Sequence, residues 1–120
     1  MSLNWGAIAV GGIAGIGSAV ILAIPVLLVA GTDGFGGQAL LILMGFLGQI
    51  LAGFVGGLLA GRDQVLNGGM AALLAYLVTA AIAVATGQEP PIATLAISGV
   101  VALVLGSAGG VLAQARSRSA

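Results

Sequence analysis

The chain has 120 residues, 60% of them hydrophobic and 5% charged, with a formal net charge of zero. A soluble domain is roughly 45–50% apolar and about 25% charged, so a water-soluble fold of this chain would lack the polar residues to cover its surface, and its charge balance points to no nucleic acid. Cysteine and histidine are both absent, which excludes disulfides and removes the usual ligands of zinc, copper, haem iron and iron–sulfur clusters, so no cofactor or metal site is expected.

With a mean hydropathy of +1.26, the natural environment is a lipid bilayer. Asp33, the pair Arg62 and Asp63, Glu89, Arg116 and Arg118 punctuate the chain. The uncharged stretches between them are each long enough to cross about 30 Å of hydrocarbon, which takes about 20 helical residues. They predict a single transmembrane domain over 1–120. Its spans are Trp5–Ala30, Gln38–Gly61, Asn67–Thr86 and Pro91–Ala113. The expected fold is an all-α, four-helix antiparallel bundle, because lipid leaves no free backbone group satisfied and four strands cannot close a barrel. The first span carries no Lys or Arg before its apolar run, and the run exceeds a signal-peptide core, so it reads as a retained helix.

The first span holds Trp5, suited to the membrane interface, and Pro25, a candidate kink. Gly31-Thr32-Asp33-Gly34 is turn material. The second span ends in Gly61 before Arg62, and Asp63 or Asn67 can cap the third. Gly87 can end the third, and Pro90-Pro91 suits the entry to the fourth. Arginine marks the Arg62 loop and the Arg116/Arg118 tail, whereas the other two loops carry only acids. The positive-inside rule then places both termini in the cytoplasm of a multi-pass cell-membrane protein.

The second half echoes the first. Gly56-Gly57-Leu58-Leu59-Ala60 resembles Gly109-Gly110-Val111-Leu112-Ala113, and Gly11-Gly12-Ile13-Ala14 resembles Gly68-Gly69-Met70-Ala71. Two parallel hairpin repeats, related by an axis along the membrane normal, would explain this.

Twenty-two glycines far exceed the roughly 7% average. Inside the spans they recur every four residues and so share one helix face. The candidate packing positions are Gly11 and Gly15 in the first span, Gly45, Gly53, Gly57 and Gly61 in the second, and Gly106 and Gly110 in the fourth. Helices in lipid gain no hydrophobic energy by meeting, and small faces let their backbones approach.

No Asp, Glu, Lys or Arg lies within a span, so the ionisable groups of proton relays and voltage sensors are missing at depth. With no clustered acid, nucleophile or base, no enzyme is expected and no catalytic residue is assigned. Gln49 is the polar exception. At about 1.5 Å per residue from the arginine-bearing end it lies roughly 18 Å deep, with Tyr76 at roughly 15 Å and Ser18 and Thr79 at roughly 20 Å. These four form a candidate intramembrane polar layer, in which Gln49 is expected to bond Tyr76, Thr79 or a bound polar group.

Leu3-Asn4-Trp5-Gly6-Ala7, and Gly56-Gly57-Leu58-Leu59-Ala60-Gly61-Arg62 running into Asn67-Gly68-Gly69, resemble small glycine-rich four-helix prokaryotic membrane proteins of unknown function. That resemblance implies architecture rather than activity. Small multidrug transporters have a membrane-embedded glutamate that finds no match in the first span, and the Thr/Phe/Ser-rich motif of fluoride channels is absent. Two functions fit. One is a structural or accessory subunit that packs with itself or larger membrane proteins through glycine-rich faces. The other is a homo-oligomeric channel or carrier for small neutral solutes. A holin-like membrane-perturbing role is a distant third.

Overall fold

The computed structural model describes residues 3–29, 35–87 and 91–119. Four α-helices make up the fold: α1 Trp5–Val29, α2 Phe35–Ala60, α3 Gln64–Ala85 and α4 Ile92–Ser119. Each is long and apolar enough to cross a membrane. The expected turn at 31–34, and the loop acids Asp33 and Glu89, lie outside the described residues.

The ends differ from expectation in three places. First, α3 starts at Gln64 rather than Asn67. Asp63 precedes it in a left-handed conformation (φ 47°, ψ 48°) and makes no side-chain cap. Asn67 lies one turn inside the helix and performs a different task, described below. Second, α4 runs on past Ala113 to Ser119 and carries Arg116 and Arg118 in its last turn, where cations meet the negative end of the helix dipole. Third, α2 starts at Phe35 rather than Gln38, whereas α1 passes through Pro25 as the expected span requires. Gly87 does terminate α3, with φ +95° and an N–H donated to the Val84 carbonyl at 3.1 Å.

The helices form two hairpins, α1/α2 and α3/α4, stacked as rows. Within each hairpin the helices pack antiparallel. Between rows, α1 lies along α3 and α2 along α4, with α2 also touching α3. Among the described residues, α1 and α4 do not meet. A two-fold along the membrane normal would make the α1–α4 contact equivalent to the α2–α3 contact. One exists and the other does not, so the second hairpin stacks beside the first and no two-fold relates them.

Both hairpins nonetheless close on the same register. A Cβ on Gly11 would lie 2.7 Å from Gly56 Cα and 2.8 Å from the Ala52 carbonyl oxygen, and one on Gly15 would lie 2.5 Å from Ala52 Cβ. In the second hairpin, a Cβ on Gly68 would lie 2.9 Å from the Gly106 carbonyl oxygen and 3.0 Å from Gly110 Cα, with the Gly53 carbonyl oxygen of the first hairpin at 2.6 Å, and one on Gly106 would meet Ala72. Gly11 and Gly15 thus correspond to Gly68 and Ala72, and Ala52 and Gly56 to Gly106 and Gly110. The pairing of Gly56 with Gly109 expected from sequence is therefore off by one residue.

Packing is uneven along the bundle. The buried apolar side chains are Ala7, Ile8, Ala52, Ala71, Ala72, Ala75, Ala102 and Ala113. Nearly all lie in the half that carries the chain termini and the α2–α3 turn. Alanine and glycine dominate, so this half is held by backbone-to-backbone approach. Toward the other end, from about Ile16, Gly45, Tyr76 and Val101, the described side chains are mostly half-buried or exposed. Among the described residues, the helices are zipped at one end and more loosely packed toward the other.

Candidate functional site

The zipped end is closed by a polar knot. Asn67 is fully buried. Its side-chain Oδ1 accepts the Asn4 N–H at 2.7 Å, and its Nδ2 donates to the Arg62 and Asp63 carbonyls at 3.1 and 3.0 Å. One amide thereby ties the entry of α1 to the α2–α3 turn: it donates to the Arg62 carbonyl and adds a second donor to the Asp63 carbonyl, which already accepts the Asn67 backbone N–H at 2.9 Å. Asn4 caps α1 in turn, its Oδ1 accepting the Ala7 N–H at 3.0 Å. Gln64, also buried, donates from Nε2 to Ser117 Oγ at 2.9 Å and fixes the last turn of α4. The resemblance above included Asn4 and Asn67 without assigning them a role. Their signal was local: two asparagines beside helix starts, each next to glycine-rich sequence that leaves room for a buried amide.

The packing glycines divide into two groups. A Cβ on Gly53 would run into the Gly106 backbone, and one on Gly110 would meet the Gln64 carbonyl. A Cβ on Gly57 would come 3.0 Å from Ala113 Cβ. Gly11, Gly15 and Gly106 are equally confined. Gly45 and Gly61 are not, because a Cβ at either meets nothing within 4 Å. Gly61 instead has φ +71° and serves the chain reversal after α2. Gly45 borders empty space.

That space belongs to the polar layer. Gly45, Gln49 and Tyr76 stand between two cavities and line both. One, of about 130 Å³, lies toward α1, with Gly15, Ala19 and Thr79 in its wall. The other, of about 430 Å³, lies toward α4, with Phe46, Ile97 and Ser98. The expected hydrogen bond from Gln49 is not made. The Tyr76 hydroxyl donates to the Leu95 carbonyl across to α4 at 2.8 Å, and Thr79 Oγ1 donates to Ala75 of its own helix at 2.9 Å. Gln49 Oε1 is buried without a partner among the described residues. Ser18 is half-buried and lines neither cavity. The layer is thus Gln49, Tyr76 and Thr79 without Ser18, and Tyr76 is committed to α4 by its hydroxyl and by its ring, 3.5 Å from where a Gly99 Cβ would stand.

A buried acceptor without a donor costs about 1–3 kcal/mol. The two cavities beside it are lined mainly by apolar residues, and their other polar side chains are the hydroxyls of Tyr76, Thr79 and Ser98. The arrangement can hold one polar group in otherwise apolar surroundings. Fold and site together define a small multi-pass α-helical membrane protein. Comparison of the chain with family models, with curated proteins and with solved structures finds no match.

Proposed function

We propose that this protein is a structural or accessory membrane subunit, a bundle locked at its arginine-bearing end that joins other transmembrane helices from the side. The observation that carries this reading is the stacking of the two hairpins: among the described residues α1 and α4 do not meet, so each hairpin turns one face outward, away from the other. The glycine faces themselves are consumed inside the bundle, so the surface offered outward is mainly aliphatic: Ile13, Ile21 and Leu28 on α1, and Ile97, Val100 and Val104 on α4 are all exposed. In this reading the termini lie in the cytoplasm, with Arg62, Arg116 and Arg118 on that side. No enzymatic role is assigned. Native mass spectrometry of the gently solubilised protein tests the reading. A species heavier than the single chain supports it, and the single chain alone at all detergent concentrations overturns it.

A second reading, a channel or carrier for small neutral solutes, is favoured by the unpartnered Gln49 oxygen between two cavities. In liposomes, Gln49→Leu then abolishes solute flux without changing oligomer size. Flux that persists in the variant removes this reading.

A further inference from the structure

We propose that the groove between α3 and α4 is the docking site for a second copy of this chain, which continues outward the stack that joins the two hairpins within it. The inference rests on the lateral-assembly reading above and names the partner. Its basis is the shared hairpin register. On the first hairpin, Ile8, Gly12 and Gly53 form the trough that receives the second. Ile8 is 2% exposed, a Cβ on Gly12 would lie 3.3 Å from the Ala71 carbonyl, and one on Gly53 would strike Gly106. The same register carries these three onto Val65, Gly69 and Ser107. In the second hairpin those residues line an open groove of about 480 Å³, together with Met70 and Leu103. The trough that the second hairpin fills on the first is, on the second, covered at Gly69 only by its own Ser107, whose Oγ lies 2.9 Å from where a Gly69 Cβ would stand, and is otherwise open.

The occupant follows from the same correspondence. The second hairpin enters the first through Ala71, Gly109 and Ala113. Their counterparts in the first hairpin are Ala14, Val55 and Leu59. Leu59 is 53% exposed, Ala14 and Val55 are half-buried, and a Cβ on nearby Gly17 meets nothing within 4 Å. This back face of one copy therefore matches the open trough of the next. The contact is heterologous, so it builds a ring or a row. It also keeps every copy crossing the membrane in the same sense, as a uniformly inserted protein requires. Ser107 and Val55 stand where the internal seam has Gly53 and Gly109. Copies therefore approach less closely than the hairpins do, and they separate more easily.

The absence of cysteine makes the test clean. Ser107→Cys and Val55→Cys, in differently tagged copies, are oxidised in native membranes alone and co-expressed. The expected result is a disulfide-linked dimer from the mixture, little from either variant alone, and a ladder from the doubly substituted chain. Ile21→Cys, on a lipid-facing position 68% exposed, measures random collision. A mixture no more cross-linked than that control overturns the proposal, as does self-linking of Ser107→Cys equal to the mixture, which would mark a two-fold dimer. If cross-linking fails while native mass spectrometry still shows a heavier complex, the second-copy proposal falls and the lateral-assembly reading stands. A single chain in both experiments removes both.

Discussion

Two amides of the same chemistry have opposite fates in this molecule. Asn67 is fully buried and spends both ends of its amide on the backbone of α1 and of the α2–α3 turn. Asn67→Leu removes the acceptor of the Asn4 N–H and the side-chain donor to the Arg62 carbonyl, while the Asp63 carbonyl keeps the backbone N–H of residue 67, and it places a branched side chain at a fully buried position. A loss of about 1–3 kcal/mol is expected, read as a lower midpoint of unfolding in mixed micelles, together with faster proteolysis near Arg62. An unchanged midpoint would show that water replaces the amide. Gln49 has no such partner for its oxygen. Replacing a buried unpaired polar group by an apolar one of similar size is neutral or stabilising, so Gln49→Leu should hold or raise the midpoint in the same assay. A clear loss of stability would mean that Gln49 is bonded in the membrane, to water or to a bound solute.

At the scale of the helices, one rule separates the glycines: whether a Cβ would meet backbone. Gly53→Ala forces α2 and α4 apart at Gly106, and overpacking of this kind costs about 1–3 kcal/mol. Gly45→Ala meets nothing and removes a flexible residue from a helix, a gain of about 0.5–1 kcal/mol. Measured side by side, the two variants should move the unfolding midpoint in opposite directions; equal shifts would show that helix separation is not what sets stability. This division marks how far the sequence could be read. Hydropathy and charge spacing located all four helices, because a bilayer punishes both polar side chains and unpaired backbone. Four-residue spacing found Gly11, Gly15, Gly53, Gly57, Gly106 and Gly110 for the same reason that it shows which residues share a face. It also selected Gly45, since spacing reports the face and not whether a neighbouring helix stands against it at that depth. The partner of Gln49 was illegible from equal depth alone. Tyr76 is at the right height, but its hydroxyl reaches α4, and azimuth around a helix is decided by tertiary packing. Asn67 was read as a cap because it sits near a helix start. The left-handed Asp63 moved that start back by a turn and turned the asparagine inward.

For the molecule as a whole, the distribution of charge and of packing coincide. Arg62, Arg116 and Arg118 all lie at the zipped end, beside the Asn67 knot. At about 1.5 Å per residue, the 22 residues of α3 extend roughly 33 Å, enough for the hydrocarbon core. The 28 residues of α4 extend roughly 42 Å, and the excess is the turn and a half that carries the two terminal arginines. Arginine at that position reaches the headgroups and is costly to move through the membrane, at about 2.5–3.5 kcal/mol each at the bilayer centre. Reporter fusions at Met1 and Ala120 should therefore both read cytoplasmic. Removing all three arginines and adding lysines beside Asp33 should turn a fraction of the molecules over, because the bias in short loops is what sets orientation. The even number of spans keeps the two reporters together in either orientation. Reporters on opposite sides would therefore mean that one of the four helices does not cross, and reporters both outside in the unaltered chain would mean that its arginines do not direct insertion.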